Sequence, residues 1–209
     1  MSFFDFNDAQ EQMSGELIPA KTMAKVVCTI RPGGHGEQGW LTKSDSGFEY
    51  LNLELTVCSH PMAKRKIFQN AGVGGLTDGH KKAAEITRAM LRAALESARN
   101  INPKDESDTA RQARQVQGFG DFNELEFAIE VGIEKDKTGQ YSDKNKIQRV
   151  ITPDHKEYAK IMGGETVIPA GAKSTASSAP TPAPEAAPWQ QSSPSPQQQP
   201  DSAIPPWAR

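Results

Sequence analysis

The 209-residue sequence is poor in cysteine, in long apolar runs and in net charge, and each shortage excludes a class of protein. Its two cysteines, Cys28 and Cys58, are too few for a framework of several disulfides or for a four-cysteine zinc site. No stretch approaches the roughly 18 consecutive apolar residues of a membrane-spanning helix. Lysine and arginine number 24 against 26 aspartate and glutamate, so the net charge of −2 does not by itself indicate a nucleic-acid partner.

The start of the chain does not have the pattern of a secretory signal. Residues 1–7 lack the basic region and the apolar core that such a signal combines. We therefore expect a soluble, cytoplasmic protein with reduced thiols and no membrane partner.

Patterns that suggest catalysis fail on inspection. Residues 74–82 resemble a phosphate-binding loop, but His80 separates the glycines from the lysine, and Lys82 stands where a serine or threonine would bind Mg²⁺. Cys58 and His60 are metal-competent, yet the other histidines have no ligand spacing. We expect a protein that is not an enzyme and needs neither metal nor cofactor. A nucleotide hydrolase built on residues 74–82 is a minor alternative.

Composition divides the chain near residue 165. Residues 171–209 hold nine of the fifteen prolines, with runs of Ser, Ala and Gln that bury too little apolar surface to offset the entropy of ordering. We predict a folded domain over 1–165 and a disordered Pro/Ser/Gln-rich tail over 166–209. The tail ends in an apolar tip that is typical of a docking peptide, although scattered apolar residues are the plainer alternative. The tip consists of Ile204, Pro205, Pro206 and Trp207.

Hydrophobic periodicity predicts three strands, one long helix and two further strands in the folded domain. The strands are 25–31, 47–59, 64–70, 125–134 and 146–151. The glycines at 72–75 should end the third strand, and a closing helix is expected at 154–162. The long helix, 79–99, should be capped by Thr77 or Asp78. Its core-facing stripe is Ile86, Met90, Leu91, Ala94, Leu95 and Ala98. Residues 102–117 are either a short helix or a mobile loop.

This element order is that of an OB-fold, a five-stranded Greek-key barrel whose helix follows the third strand. Other small folds with helices and strands share the same count. OB-folds bind oligonucleotides on the face of strands 2 and 3 and with the loops that join strands 1–2 and 4–5. The sequence therefore predicts a mainly β domain with one principal helix and a nucleic-acid-binding face.

Aromatic and basic residues occur where that face would lie. Aromatic rings stack on bases without regard to sequence, and lysines contact phosphates. The predicted DNA-binding residues are Trp40, Phe48, Tyr50, Lys64, Lys66, Phe68, Tyr141, Lys144, Lys146 and Arg149. Three alternatives stay open: Phe68 in the core with Ile67 outward, Tyr50 at the barrel end, and a 4–5 loop whose mixed charges are only solvated.

The hairpin at 127–135 and 139–147, together with the Phe-rich start of the chain, resembles phage-encoded OB-fold single-stranded DNA-binding proteins. The resemblance implies a protein of the host cytoplasm that coats single strands during phage DNA replication and recombination. It also implies a flexible tail that recruits replication or recombination proteins. The tail tip is similar to the Ile-Pro-aromatic end of bacterial single-strand binders, but only Asp201 is acidic nearby, and Ala208 and Arg209 follow the tryptophan. That difference favours a phage-specific partner.

A rival interpretation is a protein-interaction or virion-associated barrel that binds no nucleic acid and works through its tail. The net acidity of the chain and its apolar tip favour that interpretation. The sequence leaves self-association open.

Overall fold

The computed structural model describes residues 16–170, which form a mainly β body with one principal helix. Within this range six strands pair antiparallel: β1 Met23–Arg31, β2 Leu41–Lys43, β3 Glu49–Val57, β4 Lys66–Gly74, β5 Leu125–Glu134 and β6 Lys144–Ile151. The helices are α1 Asp78–Ala98, α2 Asp108–Ala113 and α3 Tyr158–Met162, with a 3₁₀ turn at Phe119–Phe122. The chain divides into two units, Met1–Ser174 and Thr175–Arg209. The predicted tail tip lies outside the described residues.

The sheet runs β4, β3, β1, β5, β6, and the short β2 pairs with the first residues of β3 beside β1. β4 and β6 approach each other without forming a backbone ladder. The Gln69 side chain bridges them, because its Oε1 accepts the Ile147 N–H at 2.9 Å. The sheet is therefore open at this seam, and the prediction of five strands missed β2.

Strand alternation decides which side chains form the core. In β3, Leu51, Leu53, Leu55 and Val57 are all buried, as the period-two pattern predicts. Cys28 is buried on β1, and burial raises the pKa of its thiol to about 12, so it acts as a small apolar side chain. Cys58, just after β3, is exposed.

The principal helix begins as expected but is turned slightly from its predicted orientation. Thr77 caps it, since the Thr77 hydroxyl accepts the His80 N–H at 3.2 Å. Ala94 and Leu95 are buried as predicted, whereas Ile86 is 64 % exposed. The inward stripe passes through Thr87, one position and about 100° around the helix from Ile86. The prediction that Ile86 belongs to the core is wrong.

The third long strand does not end at its glycines. β4 continues to Gly74, and Gly72 lies opposite Tyr50 on β3. A Cβ on Gly72 would come within 2.5 Å of the Phe48 ring. Glycine here leaves room for an aromatic ring on the strand surface and does not mark a turn.

The body extends past residue 165. Met23 and Val167 exchange two backbone hydrogen bonds of 2.8 and 2.9 Å, so the start of the predicted tail pairs with β1. α3 packs Tyr158 and Ile161 against Ala128 and Ile151. No helix within residues 16–170 is both long and apolar enough to cross a bilayer.

Arginines fasten the segment between α1 and β5. Glu96 on α1 is only 3 % exposed and accepts hydrogen bonds from Arg92 Nε at 2.9 Å and Arg114 Nε at 2.7 Å. The Arg114 guanidinium also donates to the carbonyl oxygens of Asn102 and Asp105. This network holds α2 and the loops around it in place, so residues 102–117 form an ordered segment that contains a short helix.

We expect Arg114→Met to lower the free energy of unfolding by about 3 kcal/mol, because it removes one partner of the buried Glu96 carboxylate. Urea denaturation measures the loss. The matched control is Arg111→Met, whose exposed pair with Glu106 should contribute less than about 1 kcal/mol. Equal, small losses in both variants would show that the Glu96 network does not hold this segment.

Candidate nucleic-acid interface

The outward side chains of β1, β3 and β4 form one continuous surface, here called the outer face. Because alternate residues of a strand point to the same side, the backbone register sets the neighbours on this surface. Asn52 lies between Arg31 and Asn70, and Glu54 lies between Thr29 and Phe68. The outer face consists of Thr29, Arg31, Tyr50, Asn52, Glu54, Thr56, Lys66, Phe68 and Asn70.

Phe68 is an outer-face residue. It is 48 % exposed, whereas its neighbour Ile67 is fully buried, so the alternative with Ile67 outward is excluded. The Arg31 guanidinium lies 4.9 Å from the centroid of the Phe68 ring. This cation–π contact covers part of the ring and leaves the rest open to solvent.

A second aromatic group stands at the other end of the outer face. The rings of Phe48 and Tyr50 stack with centroids 5.5 Å apart and an interplanar angle of 24°. Phe48 also contacts the His80 ring at 4.9 Å, at the start of α1. Tyr50 and the Glu54–Phe68 pair are four residues apart along β3, which is about 13 Å in an extended strand. Aromatic rings therefore flank a stretch of amides, since Asn52 and Asn70 pair between them.

An acidic side chain occupies the middle of this surface. Glu54 is 8 % exposed and pairs through one carboxylate oxygen with Lys66 and through the other with Arg31. Hydrogen bonds from Lys66 and Arg31 hold the pKa of Glu54 below its usual value. The three side chains together carry a charge of about +1 near neutral pH.

The open seam between β4 and β6 forms a groove of about 350 Å³, here called the seam groove. Asn145 on β6 closes one side, because its amide exchanges two 2.8 Å hydrogen bonds with the backbone of Ile18. Lys66 and Phe68 line the groove from β4, and Lys144 lines it from β6. Three predicted DNA-binding residues therefore meet at one place.

The loop between β5 and β6 is organised by one carboxylate. Asp136 accepts the Tyr141 N–H at 2.8 Å and the Thr138 N–H at 3.1 Å, and these bonds lower its pKa to about 2. Tyr141 is 77 % exposed. It lines a broad open cavity of about 860 Å³ with Lys144 and Lys146. The loop thus presents a ring among both cations and carboxylates, since Glu134 and Asp136 line the same cavity.

Other predicted residues lie apart from these groups. Trp40 packs against the core and lines a cavity with Phe119, next to Gly120. Arg149 is paired with Glu130 on β5, at 2.7 Å from its Nη2. Lys64 is exposed in the turn before β4.

The acids of β5 that would repel phosphate are each paired with a cation. Glu126 pairs with Lys25 at 3.0 Å, Glu130 with Arg149, and Glu134 with Lys144 at 3.7 Å. Their negative charge is therefore compensated locally.

Sequence reasoning missed Arg31 and Asn70 as parts of the surface. The Arg31 side chain points outward, because side chains alternate along β1 and Cys28 and Ile30 point inward. Its contact with Phe68 depends on pairing β1 with β3 and β3 with β4, which one sequence does not specify.

No family model, curated protein or solved structure matched this chain. The resemblance to phage single-stranded DNA-binding proteins therefore stays a prediction. Exposed rings interleaved with amides and cations on a sheet are typical of surfaces that bind unpaired nucleic acid.

We expect the Tyr141 and Thr138 amide resonances to titrate with a midpoint of about 2, well below the ordinary value of 3.8 for aspartate. A depressed pKa means that the Asp136 bonds favour the folded loop at neutral pH and are lost as the pH falls through that midpoint. NMR spectra recorded against pH measure the midpoint, and Asp136→Asn should abolish the transition. A midpoint near 3.8 would show that Asp136 does not organise the loop.

Proposed function

We propose that this protein binds single-stranded DNA with little sequence preference, through the outer face and the seam groove, during phage DNA replication or recombination. The observation that carries the proposal is the exposed Phe68 ring beside cations on the surface that also holds the Phe48–Tyr50 stack. Phe68 is 48 % exposed, and Phe48 and Tyr50 are only partly buried, so these rings are accessible to a ligand.

The strand pairing supports an OB-fold of the partly open kind. The first long strand, β1, pairs with both β3 and β5, and the helix α1 follows β4. β4 and β6 approach each other at the place where an OB barrel would close. In such folds the surface of the second and third long strands, here β3 and β4, carries the nucleic acid.

Each part of the surface has a role in this proposal. Bases stack on Tyr50 and on the open part of Phe68, and Tyr141 adds a third ring from the loop. Lys144 contacts phosphates along the seam groove, and Lys146 contacts them in the cavity beside the β5–β6 loop. The Asn52 and Asn70 amides have no side-chain hydrogen-bond partner among residues 16–170, so they are available to whichever base edge lies between the rings.

The predicted tail completes the proposal as the part that recruits replication or recombination proteins. Residues 171–209 of this tail lie outside the described residues, so its role is inferred from composition and from the apolar tip. A body that binds no single strands would instead favour the rival role in protein interaction or in the virion.

We expect Tyr50→Ala and Phe68→Ala each to weaken binding of an oligo-dT strand by roughly 5- to 150-fold, because each removes one base-stacking platform. Tyr141→Ala should give a smaller loss, since its loop is exposed. Fluorescence anisotropy measures the affinity, and the wild-type affinity should fall steeply with added salt.

The matched control is Ile86→Ala, which shortens an exposed apolar side chain on α1. It should leave the affinity unchanged. If folded Tyr50→Ala and Phe68→Ala variants bind oligo-dT as the wild type does, the outer face is not the binding surface.

A further inference from the structure

One carboxylate restrains two cations on the outer face. Glu54 Oε2 accepts from Arg31 Nε at 2.8 Å and also from Arg31 Nη2, while Glu54 Oε1 pairs with Lys66. The carboxylate is almost buried beneath these partners, whose own side chains are half exposed. Glu54 therefore fixes the positions of both cations in the unbound protein.

The same pairing fixes Arg31 over the Phe68 ring. The guanidinium lies 4.9 Å from the ring centroid while its Nε–H and one Nη–H point to Glu54. A planar guanidinium is itself a surface on which a base can stack. Arg31 and the open part of Phe68 can thus receive a base without breaking their contact with Glu54.

We propose that Glu54 is a specificity-determining residue of the outer face. Because of it, the outer face prefers strands with unpaired bases to polyanions that offer only phosphates. This inference rests on the proposed function and names the feature of the ligand that the site requires. It assigns the discrimination to one acidic side chain in the middle of a DNA-binding surface.

The discrimination follows from what each ligand must displace. A single strand can stack a base at Arg31 and Phe68 and place its phosphates against Lys144 and Lys146, so the Glu54 pairs survive. A duplex keeps its bases paired, and an abasic strand has none, so at the Arg31–Phe68 part of the outer face each can gain only by drawing Arg31 and Lys66 to phosphate. That step leaves the nearly buried Glu54 carboxylate without a partner, which is unfavourable.

The test compares wild type and Glu54→Gln with three ligands of equal length: oligo-dT, duplex DNA and an abasic strand. Glutamine keeps the size and shape of the side chain but lacks its negative charge, so it releases both Arg31 and Lys66. We expect the affinity for duplex and abasic strands to rise by about 10-fold and the affinity for oligo-dT by less than about threefold. The slope of log affinity against log salt should steepen by about two for the duplex, because two freed cations can each contact a phosphate.

Glu126→Gln is the matched control, because it also removes one negative charge from a carboxylate paired with a lysine. Glu126 lies on β5, which pairs with the edge of β1 opposite to β3, and its partner is Lys25. It should raise all three affinities equally and only slightly. Circular dichroism and thermal unfolding check that the variants fold. Glu54→Asp keeps the charge but shortens the reach to the cations, so its preference for single strands should lie between wild type and Glu54→Gln.

An unchanged ratio of single-strand to duplex affinity in Glu54→Gln, or a fall in all three affinities, would overturn the inference. If Glu54→Gln does not fold, an unchanged ratio in Glu54→Asp has the same meaning. A wild-type protein that fails to bind oligo-dT would instead overturn the proposed function. The two failures are therefore distinguishable within one set of titrations.

Discussion

Backbone pairing between β3 and its two neighbours is the constraint on which the surface depends. Alternation along β3 buries Leu51, Leu53 and Leu55, and the same alternation sends Tyr50 and Glu54 outward. A slip of one residue would exchange the two sets, so the apolar core holds the register of the outer face. Stability and the proposed binding chemistry are thus set by one pairing pattern.

Local pairing explains how an acidic protein can offer a surface for a polyanion. The net charge is −2, yet the acids of β5 are compensated by cations, and Glu54 is outnumbered by Arg31 and Lys66. Field strength at a surface depends on the charges within about 10 Å, because salt screens the rest. The global charge therefore says little about this face.

The sequence predicted the positions of the strands and helices better than the contacts between them. The strong alternation of β3 and β5 was readable, because half-buried strands have a period of two. The position of Phe68 was ambiguous, since β4 mixes polar and apolar residues on both sides. Gly72 was misread because the Phe48 ring that requires it comes from a distant segment, just before β3. The sequence did not show that Trp40 packs against the core, for a similar reason: its neighbours, at Phe119–Phe122, are distant in sequence.

Ultraviolet crosslinking of oligo-dT to the full chain, followed by mass spectrometry of the crosslinked peptides, tests the central claim most directly. If bases stack on the outer face, crosslinks should map to Tyr50 and Phe68, with Tyr141 as a further site. Oligo-dT that binds but crosslinks only to residues remote from β3, β4 and the β5–β6 loop would contradict the account.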